Sequence, residues 1–287
     1  GSDFHFFMSE DKSFLLPAEY SAESTYSIIE EHINKDTNPK RTFFSQYIGY
    51  AAAILILALI STIVYNYLTQ PVTFYASTSH GEKKEVNLPD GSVVILNSMS
   101  SVSYSERMIG RTRELVLQGE AYFDVAKDPD KAFVVKAKDI EVKVLGTKFN
   151  VKAYENQEYI ETTLFAGVVS VGLPSGEVRK LKPGEQAIFE EKTKNVEIRQ
   201  LKDPGIEMAW QNNILVFDNE PFTDILETLS REYNVIFEVE NDILKQLHMT
   251  ARFSTEESVD TALTILGESA EFTYTRQNNI YTITRGK

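Results

Sequence analysis

The chain has 287 residues, with 42 acidic against 29 basic side chains and a formal net charge of -13. That balance argues against a nucleic-acid partner, which selects a basic face, and the absence of cysteine excludes disulfide frameworks, thiolate zinc sites and thiol nucleophiles. The four histidines, His5, His32, His80 and His248, form no HxxxH or HxH pair, so no cofactor is expected and a metal site would have to be built from carboxylates alone. With 42% hydrophobic residues, the chain has room for a membrane span and about two folded domains.

Residues 1–46 are polar and carry little signal of a packed core. One short helix is expected from about Ala22 to Asn34, with Tyr26, Ile29 and Ile33 sharing a face at i, i+3 and i+7. Such a helix is marginal alone, so this face either takes a partner or belongs to a solvated or membrane-surface tail. The chain opens with Gly-Ser rather than Met, so its start is expected to be trimmed or to carry an added scar.

From Tyr47 to Leu68 the chain reads YIGYAAAILILALISTIVYNYL, with no charged residue. At about 1.5 Å per helical residue this reaches about 30 Å, the hydrocarbon thickness of a bilayer, and predicts a single transmembrane helix. A buried core helix rarely runs so long without a polar face. Lys40 and Arg41 precede the run and the first formally charged residue after it is Glu82, which places the N-terminal arm in the cytoplasm and exports the remainder. Tyr47 and Tyr50 at one end, with Tyr65, Tyr67, Phe74 and Tyr75 at the other, suit the two interfaces. The run is too long for a signal-peptide core and holds Ala51 to Ala53 inside it, so an uncleaved signal anchor is expected. Ser61, Thr62 and Asn66 polarise its outer half, the expected place for a protease to unwind it.

Thr69 to Gly81 reads as a stalk. Glu82 to Leu88 and Ser92 to Asn97 then flank Pro89-Asp90-Gly91, a turn that proline presets and glycine completes. Further strands are expected at Glu114–Leu117, Ala121–Val125, Phe133–Ala137, Ile140–Val144, Lys148–Tyr154, Ile160–Leu164, Val168–Leu173, Ala187–Glu190 and Val196–Gln200, with turns at Pro174-Ser175-Gly176 and Pro183-Gly184. Residues 82–200 therefore predict an all-β sandwich or jelly-roll-like domain of meander geometry. Residues 202–287 predict a small α+β module in the order β-α-β, β-α-β-β. In it, a helix from about Pro221 to Tyr233 presents Ile225, Leu226, Leu229 and Tyr233, and a second follows a capping box of Ser254 and Glu257 and stops at Gly267. A final hairpin turns over Gln277-Asn278-Asn279, and the module's size suits an adaptor better than an enzyme core.

At Leu88-Pro89-Asp90-Gly91-Ser92, Gly119-Glu120-Ala121-Tyr122-Phe123-Asp124-Val125 and Val144-Leu145-Gly146-Thr147-Lys148-Phe149-Asn150-Val151 the chain resembles the FecR family of transmembrane sigma-factor regulators. Thr162-Thr163-Leu164, Gly167-Val168-Val169 and Leu181-Lys182-Pro183-Gly184-Glu185-Gln186-Ala187 continue the likeness, and the order of these motifs is more specific than any one of them. Trp210, Phe217, Pro221, Leu229 and Tyr233-Asn234-Val235 are similar to the family's C-terminal domain, itself like the short N-terminal signalling domain of secretins and TonB-dependent receptors. The resemblance implies an inner-membrane anti-sigma factor whose periplasmic part meets the signalling domain of a TonB-dependent outer-membrane receptor. Periplasmic and intramembrane proteases would then release the arm with an extracytoplasmic-function sigma factor, which the arm serves as anti-sigma, pro-sigma or both. Family members usually carry a longer cytoplasmic segment than residues 1–46, so the sigma-binding part is expected to be incomplete or diverged.

The resemblance also makes Gly146-Thr147 a candidate self-cleavage site, through an N-to-O acyl shift in which the threonine hydroxyl attacks the preceding carbonyl. The plain reading of this pair is a glycine at a strand bulge followed by a β-favouring threonine. Glu120 and Asp124 are expected to satisfy strand or turn donors rather than to form a catalytic pair. Trp210 is a candidate partner contact, with packing between the two exported domains as its simpler role. Two other functions compete with the regulator. One is a membrane-tethered periplasmic binding protein for a glycan or cell-wall ligand; the other, a membrane-anchored hydrolase, lacks any nucleophile motif, metal cluster or phosphate loop.

Overall fold

The structure is a computed structural model that describes residues 26–27, 29–31, 44–68, 72–105 and 111–286. The chain divides into two units, Gly1–Gln70 and Pro71–Lys287.

In the first unit, residues 26–27 and 29–31 are helical. Tyr26 and Ile29 are exposed there, while Ile33 lies outside the described residues. Helix α1 (Phe44–Leu68) is a continuous apolar rod with no acidic residue in its first turn and no basic one in its last. Its segment Tyr47–Tyr65 has a mean hydropathy of 2.3 and no buried part. A helix that exposes Ile54, Leu55, Leu57 and Leu59 on all sides does not suit water, and by length and composition it fits a single-pass membrane protein. Thr62 Oγ1 donates to Ala58 O at 2.7 Å, so this hydroxyl is satisfied within the helix.

Among the described residues, the second unit opens with thirteen strands joined in one hydrogen-bonded network that folds into two sheets. Both sheets are built on β5 (Thr112–Asp124), a strand of 13 residues. Its first half pairs with β4 (Ser101–Ser105) on one side and, in parallel, with β6 (Ala132–Ala137) on the other. Beyond β6 and β4 this sheet continues through β7 (Ile140–Val144), β10 (Val169–Gly172) and β11 (Val178–Leu181), and through the edge strand β1 (Thr73–Ser77). The second half of β5 pairs with β3 (Val93–Leu96) and β8 (Lys148–Ala153), and that sheet runs on to β2 (Lys84–Asn87), β9 (Tyr159–Ala166), β12 (Glu185–Glu190) and β13 (Val196–Gln200). The change of sheet falls at Gly119, whose φ is +92. Alternation in β5 buries Arg113, Leu115, Leu117 and Gly119 while Glu114, Val116 and Gln118 face out, and the inner side chains of both sheets meet in one core. At its centre Phe123 stacks on Phe149 at 4.8 Å and meets the edge of Phe133 at 6.4 Å.

After the sandwich, a 3-10 helix (Pro204–Asn212) packs on β14 (Ile214–Pro221) and on β9. Helix α2 (Phe222–Tyr233), β15 (Ile236–Val239), short helix α3 (Asp242–Lys245), β16 (His248–Ser254), helix α4 (Val259–Ala270), β17 (Phe272–Gln277) and β18 (Ile280–Arg285) complete an α+β module. β14 pairs with β16, while β15 runs parallel to β18, which closes the hairpin with β17. Phe222, Ile225, Leu229, Leu263, Leu266, Tyr281 and Ile283 fill a separate core that shares no residue with the sandwich.

The multi-domain layout matches the expected fold class; several details differ. β1 forms inside the expected stalk because Thr-Phe-Tyr is a good strand sequence with β4 to pair on. The two strands expected at Glu114–Leu117 and Ala121–Val125 are one strand, because Gly119 bends it without ending it. The α4 N-cap is Ser258, which accepts from Thr261 N at 3.2 Å, and not Ser254, which ends β16. Gly267 does not stop that helix; Glu271, in the left-handed conformation, does.

Candidate functional site

The C-terminus of α2 is anchored on the sandwich. Its last carbonyls have no partner within the helix and need donors from elsewhere. On the Arg231 carbonyl converge Gly81 N at 3.2 Å, Ser98 Oγ at 2.8 Å and His80 Nδ1 at 3.0 Å, the last as the Nδ1–H tautomer. Lys83 Nζ forms an ion pair with Glu232 at 3.1 Å and donates to Asn213 Oδ1 at 3.1 Å. The Arg231 guanidinium lies 3.9 Å from the centre of the Tyr154 ring, and Tyr154 in turn donates to Ser98 O at 2.9 Å. Cations at a helix C-terminus also oppose its dipole favourably. At the C-terminus of α2 the two modules thus meet through polar groups and a cation–π stack rather than through a shared apolar core.

A cavity of about 280 Å³ lies beside this anchor. From the sandwich it is lined by Glu120, Lys152, Glu161 and Arg199, from the 3-10 helix by Glu207 and Trp210, and from the C-terminal module by Glu220, Asp224 and Arg231. Glu120 is buried and accepts from Asn97 Nδ2 at 2.8 Å and Asn150 Nδ2 at 2.9 Å; burial raises its pKa against those bonds and the Lys152 charge. Lys152 stands 3.5 Å from Glu161. Burial pulls Lys152 down, but Glu161, Glu120, Glu220 and Glu207 outweigh it and hold the amine charged. Burial, with the Glu161 charge, pushes Glu207 up to about 8 despite Lys152. Burial likewise raises Glu220, Asp224 and Glu227.

These shifts have one sign. A carboxyl raised in the folded state binds its proton more tightly there than in the unfolded chain, so its stabilisation is complete below the ordinary carboxyl pKa and is lost as pH climbs towards the raised value. The thermal midpoint of the Pro71–Lys287 unit is therefore expected to fall between about pH 5 and pH 8.5. Glu207→Gln, which mimics the protonated carboxyl, should flatten that fall in a series of melting curves; identical pH profiles for the two proteins would contradict this assignment.

The structure scatters the other residues picked out in the sequence. Trp210 is 6% exposed and lines the cavity at the junction. Glu120 satisfies two asparagines, as expected of a structural carboxylate, and Asp124 pairs with Lys148 at 2.8 Å. Gly146 and Thr147 lie elsewhere, between β7 and β8. Gly146 has φ +149, and a Cβ there would stand 2.7 Å from Lys127 Cα, so only glycine fits. Thr147 is buried, and its hydroxyl donates to Val168 O at 3.1 Å. Sequence reasoning missed Lys83, Lys152, Glu207, Arg231 and Glu232, which share no local motif.

A β-sandwich joined by a polar junction to a small α+β module, in a chain with one membrane-length helix, defines the class of single-pass membrane proteins with a two-module folded part. Residues 75–170 match the family model "FecR protein" and residues 214–283 the model "FecR, C-terminal", and the chain belongs to the FecR family. Two crystal structures of a protein from Parabacteroides distasonis ATCC 8503, described provisionally as an anti-sigma factor, are similar to it. Each is 28% identical with a TM-score of 0.71, covering 75% of this chain and 100% of that one. A search of curated proteins returned no match.

Proposed function

We infer that the chain is a sigma-factor regulator anchored by a single membrane helix. The observation that carries this reading is the order in one polypeptide of a membrane-length helix, a FecR sandwich and a FecR C-terminal module, with a provisional anti-sigma factor as structural relative. In the finer reading the helix crosses the bacterial inner membrane with the arm in the cytoplasm and the folded unit in the periplasm. The signalling domain of a TonB-dependent outer-membrane receptor docks on the C-terminal module, whose small sheets offer open strand edges for pairing. Docking loads the junction at Arg231, and periplasmic then intramembrane proteolysis releases the arm with an extracytoplasmic-function sigma factor. Titration of the full chain in detergent with such a receptor domain tests the docking step. Saturable binding is expected, and no heat with the domain encoded beside this chain would count against the relay.

Self-cleavage at Gly146-Thr147 fits the same scheme. Thr147 Oγ attacks the Gly146 carbonyl carbon, the peptide C–N bond breaks, the hydroxyl proton passes to the departing amine, and water opens the resulting ester. The glycine at φ +149, held close against Lys127, supports this reading, since the absence of a Cβ leaves the Gly146 carbonyl sterically open to the neighbouring hydroxyl. Intact-mass spectrometry is expected to find two fragments meeting at that bond in the wild type and one chain in Thr147→Ala. A single intact mass in both would rule it out.

A further inference from the structure

The first strand of the sandwich is lightly held. Among the described residues β1 pairs on one side only, with β4, from Thr73 opposite Ser105 to Ser77 opposite Ser101. Thr73, Phe74, Tyr75 and Ser77 are exposed, Ala76 alone is half-buried against the core, and Phe74 stacks on Tyr104 at 5.8 Å. An edge strand with so little buried contact opens locally at low free-energy cost. Its firm hold is the residue after it. Thr78 is buried; its N–H donates to Ser100 O at 2.9 Å, and its hydroxyl donates to Asn97 O at 2.6 Å and accepts from Ser100 N at 2.9 Å. The turn it grips, residues 97–100, also anchors α2. Ser98 Oγ donates to Arg231 O, and Ser98 O accepts from Tyr154, whose ring lies under the Arg231 guanidinium. Chain continuity adds a second link, since His80, Gly81 and Lys83, which hold the α2 end, follow closely on Thr78.

We propose that β1 is a latch that withholds the backbone of residues 73–77 from proteolysis and is released when α2 leaves the junction. Residues 69–72 stand between Leu68 and β1, whereas the longer run 69–77 stands between Leu68 and the pin at Thr78. A protease takes its substrate as an extended strand free of other pairing, so the cutting rate follows the fraction of chains in which β1 is off β4. With the junction closed, the 97–100 turn holds Thr78 and β1 stays in register on β4. With α2 gone, Ser98, Gly81 and His80 lose the Arg231 carbonyl, Lys83 loses Glu232, and the turn that grips Thr78 loses its support on one side. β1 is then the two-state element that such coupling requires. The purpose of the latch rests on the relay reading, but its existence does not, because the chain alone with an added protease reports it.

The test is timed digestion of the full chain in detergent with chymotrypsin, which cuts after aromatic residues, scored by mass spectrometry for fragments that begin at Tyr75 or Ala76. In the wild type these are expected only late. Glu232→Lys, which acts from the C-terminal module and touches no bond of β1, should raise their rate about tenfold or more. Thr78→Val, which keeps the shape but leaves Ser100 N without its acceptor, should do the same. Cuts after Phe123 or Phe149 in the sandwich core should keep the wild-type rate, which separates release of β1 from global unfolding. Because Thr78 is hydrogen-bonded to Ser100, alternation leaves Tyr75 and Ser103 as a close, non-hydrogen-bonded pair suited to a cross-link. Adding Tyr75→Cys and Ser103→Cys to Glu232→Lys should therefore stop the cut after Phe74 when oxidised and restore it on reduction. A fast cut in the wild type, a rate that Glu232→Lys leaves unchanged, or a cut that the cross-link does not slow overturns the latch. A chain that binds sigma factor and receptor domain but keeps β1 indifferent to Glu232→Lys retains the relay and loses the latch.

Discussion

Gly119→Ala is expected to destabilise the sandwich by about 3 kcal/mol, the sum of two separate costs. At φ +92 an L-residue carries backbone strain of about 1–2 kcal/mol. The new Cβ would also stand 2.4 Å from Ser100 Oγ and 2.8 Å from Ser100 Cα, an overlap that moves backbone as well as a hydroxyl and costs about 1–3 kcal/mol. Ser100 Oγ accepts from Glu120 N at 2.9 Å, so a displaced Ser100 carries the damage to the buried carboxylate and on to the junction. Urea unfolding should show a lower midpoint with an unchanged slope. Gly91→Ala separates the two costs, because Gly91 has φ +83 with nothing within 4 Å of its would-be Cβ and should lose only the strain. Equal losses at both positions would mean that the crowding at Ser100 does not matter.

Breaking the Lys83–Glu232 pair is expected to have the largest effect on communication between the modules. Its side chains are 16% and 7% exposed at a separation of 3.1 Å, and removing one partner of so buried a pair typically costs about 3–5 kcal/mol because the other is left without compensation. Lys83→Glu or Glu232→Lys should therefore let the C-terminal module melt ahead of the sandwich, seen as a second calorimetric transition, and open the 80–83 segment to protease. Combining the two reverses the pair: Lys now stands at the α2 C-terminus, where the dipole favours it, and the Asn213 amide can turn to donate. The double variant is expected to regain at least about 1 kcal/mol over the sum of the singles. Strictly additive effects would show that the pair does not couple the modules.

Much of this architecture is legible in the sequence. Strict alternation in segments such as Ile140–Val144, and the apolar spacing of Ile225, Leu226 and Leu229, mark elements whose one buried face repeats with the period of the backbone. β4 (SVSYS) and β11 (VRKL) escape because they carry little apolar pattern; β11 is exposed at three of its four positions and holds its place by hydrogen bonds to β10. The break inferred at Gly119 fails for a related reason, since a glycine signals a bend but not whether pairing continues beyond it. The junction is the least legible part. Lys83 and Glu232 are 149 residues apart, and Lys152, Glu207 and Glu220 come from three separate elements, so nothing in local spacing announces that they meet. Trp210, as the single tryptophan, and Glu120, inside a family motif, are the visible pointers to that place.

The measurement that bears most directly on the central claim is capture of a sigma factor by the arm. Residues 1–46, immobilised and exposed to the purified extracytoplasmic-function sigma factors of the encoding cell, should retain one of them. Tyr26→Ala together with Ile29→Ala, both exposed on the helical segment, should abolish that retention. An arm that holds no sigma factor, beside a folded unit that binds a cell-wall glycan, would contradict the regulator and leave a membrane-tethered binding protein in its place.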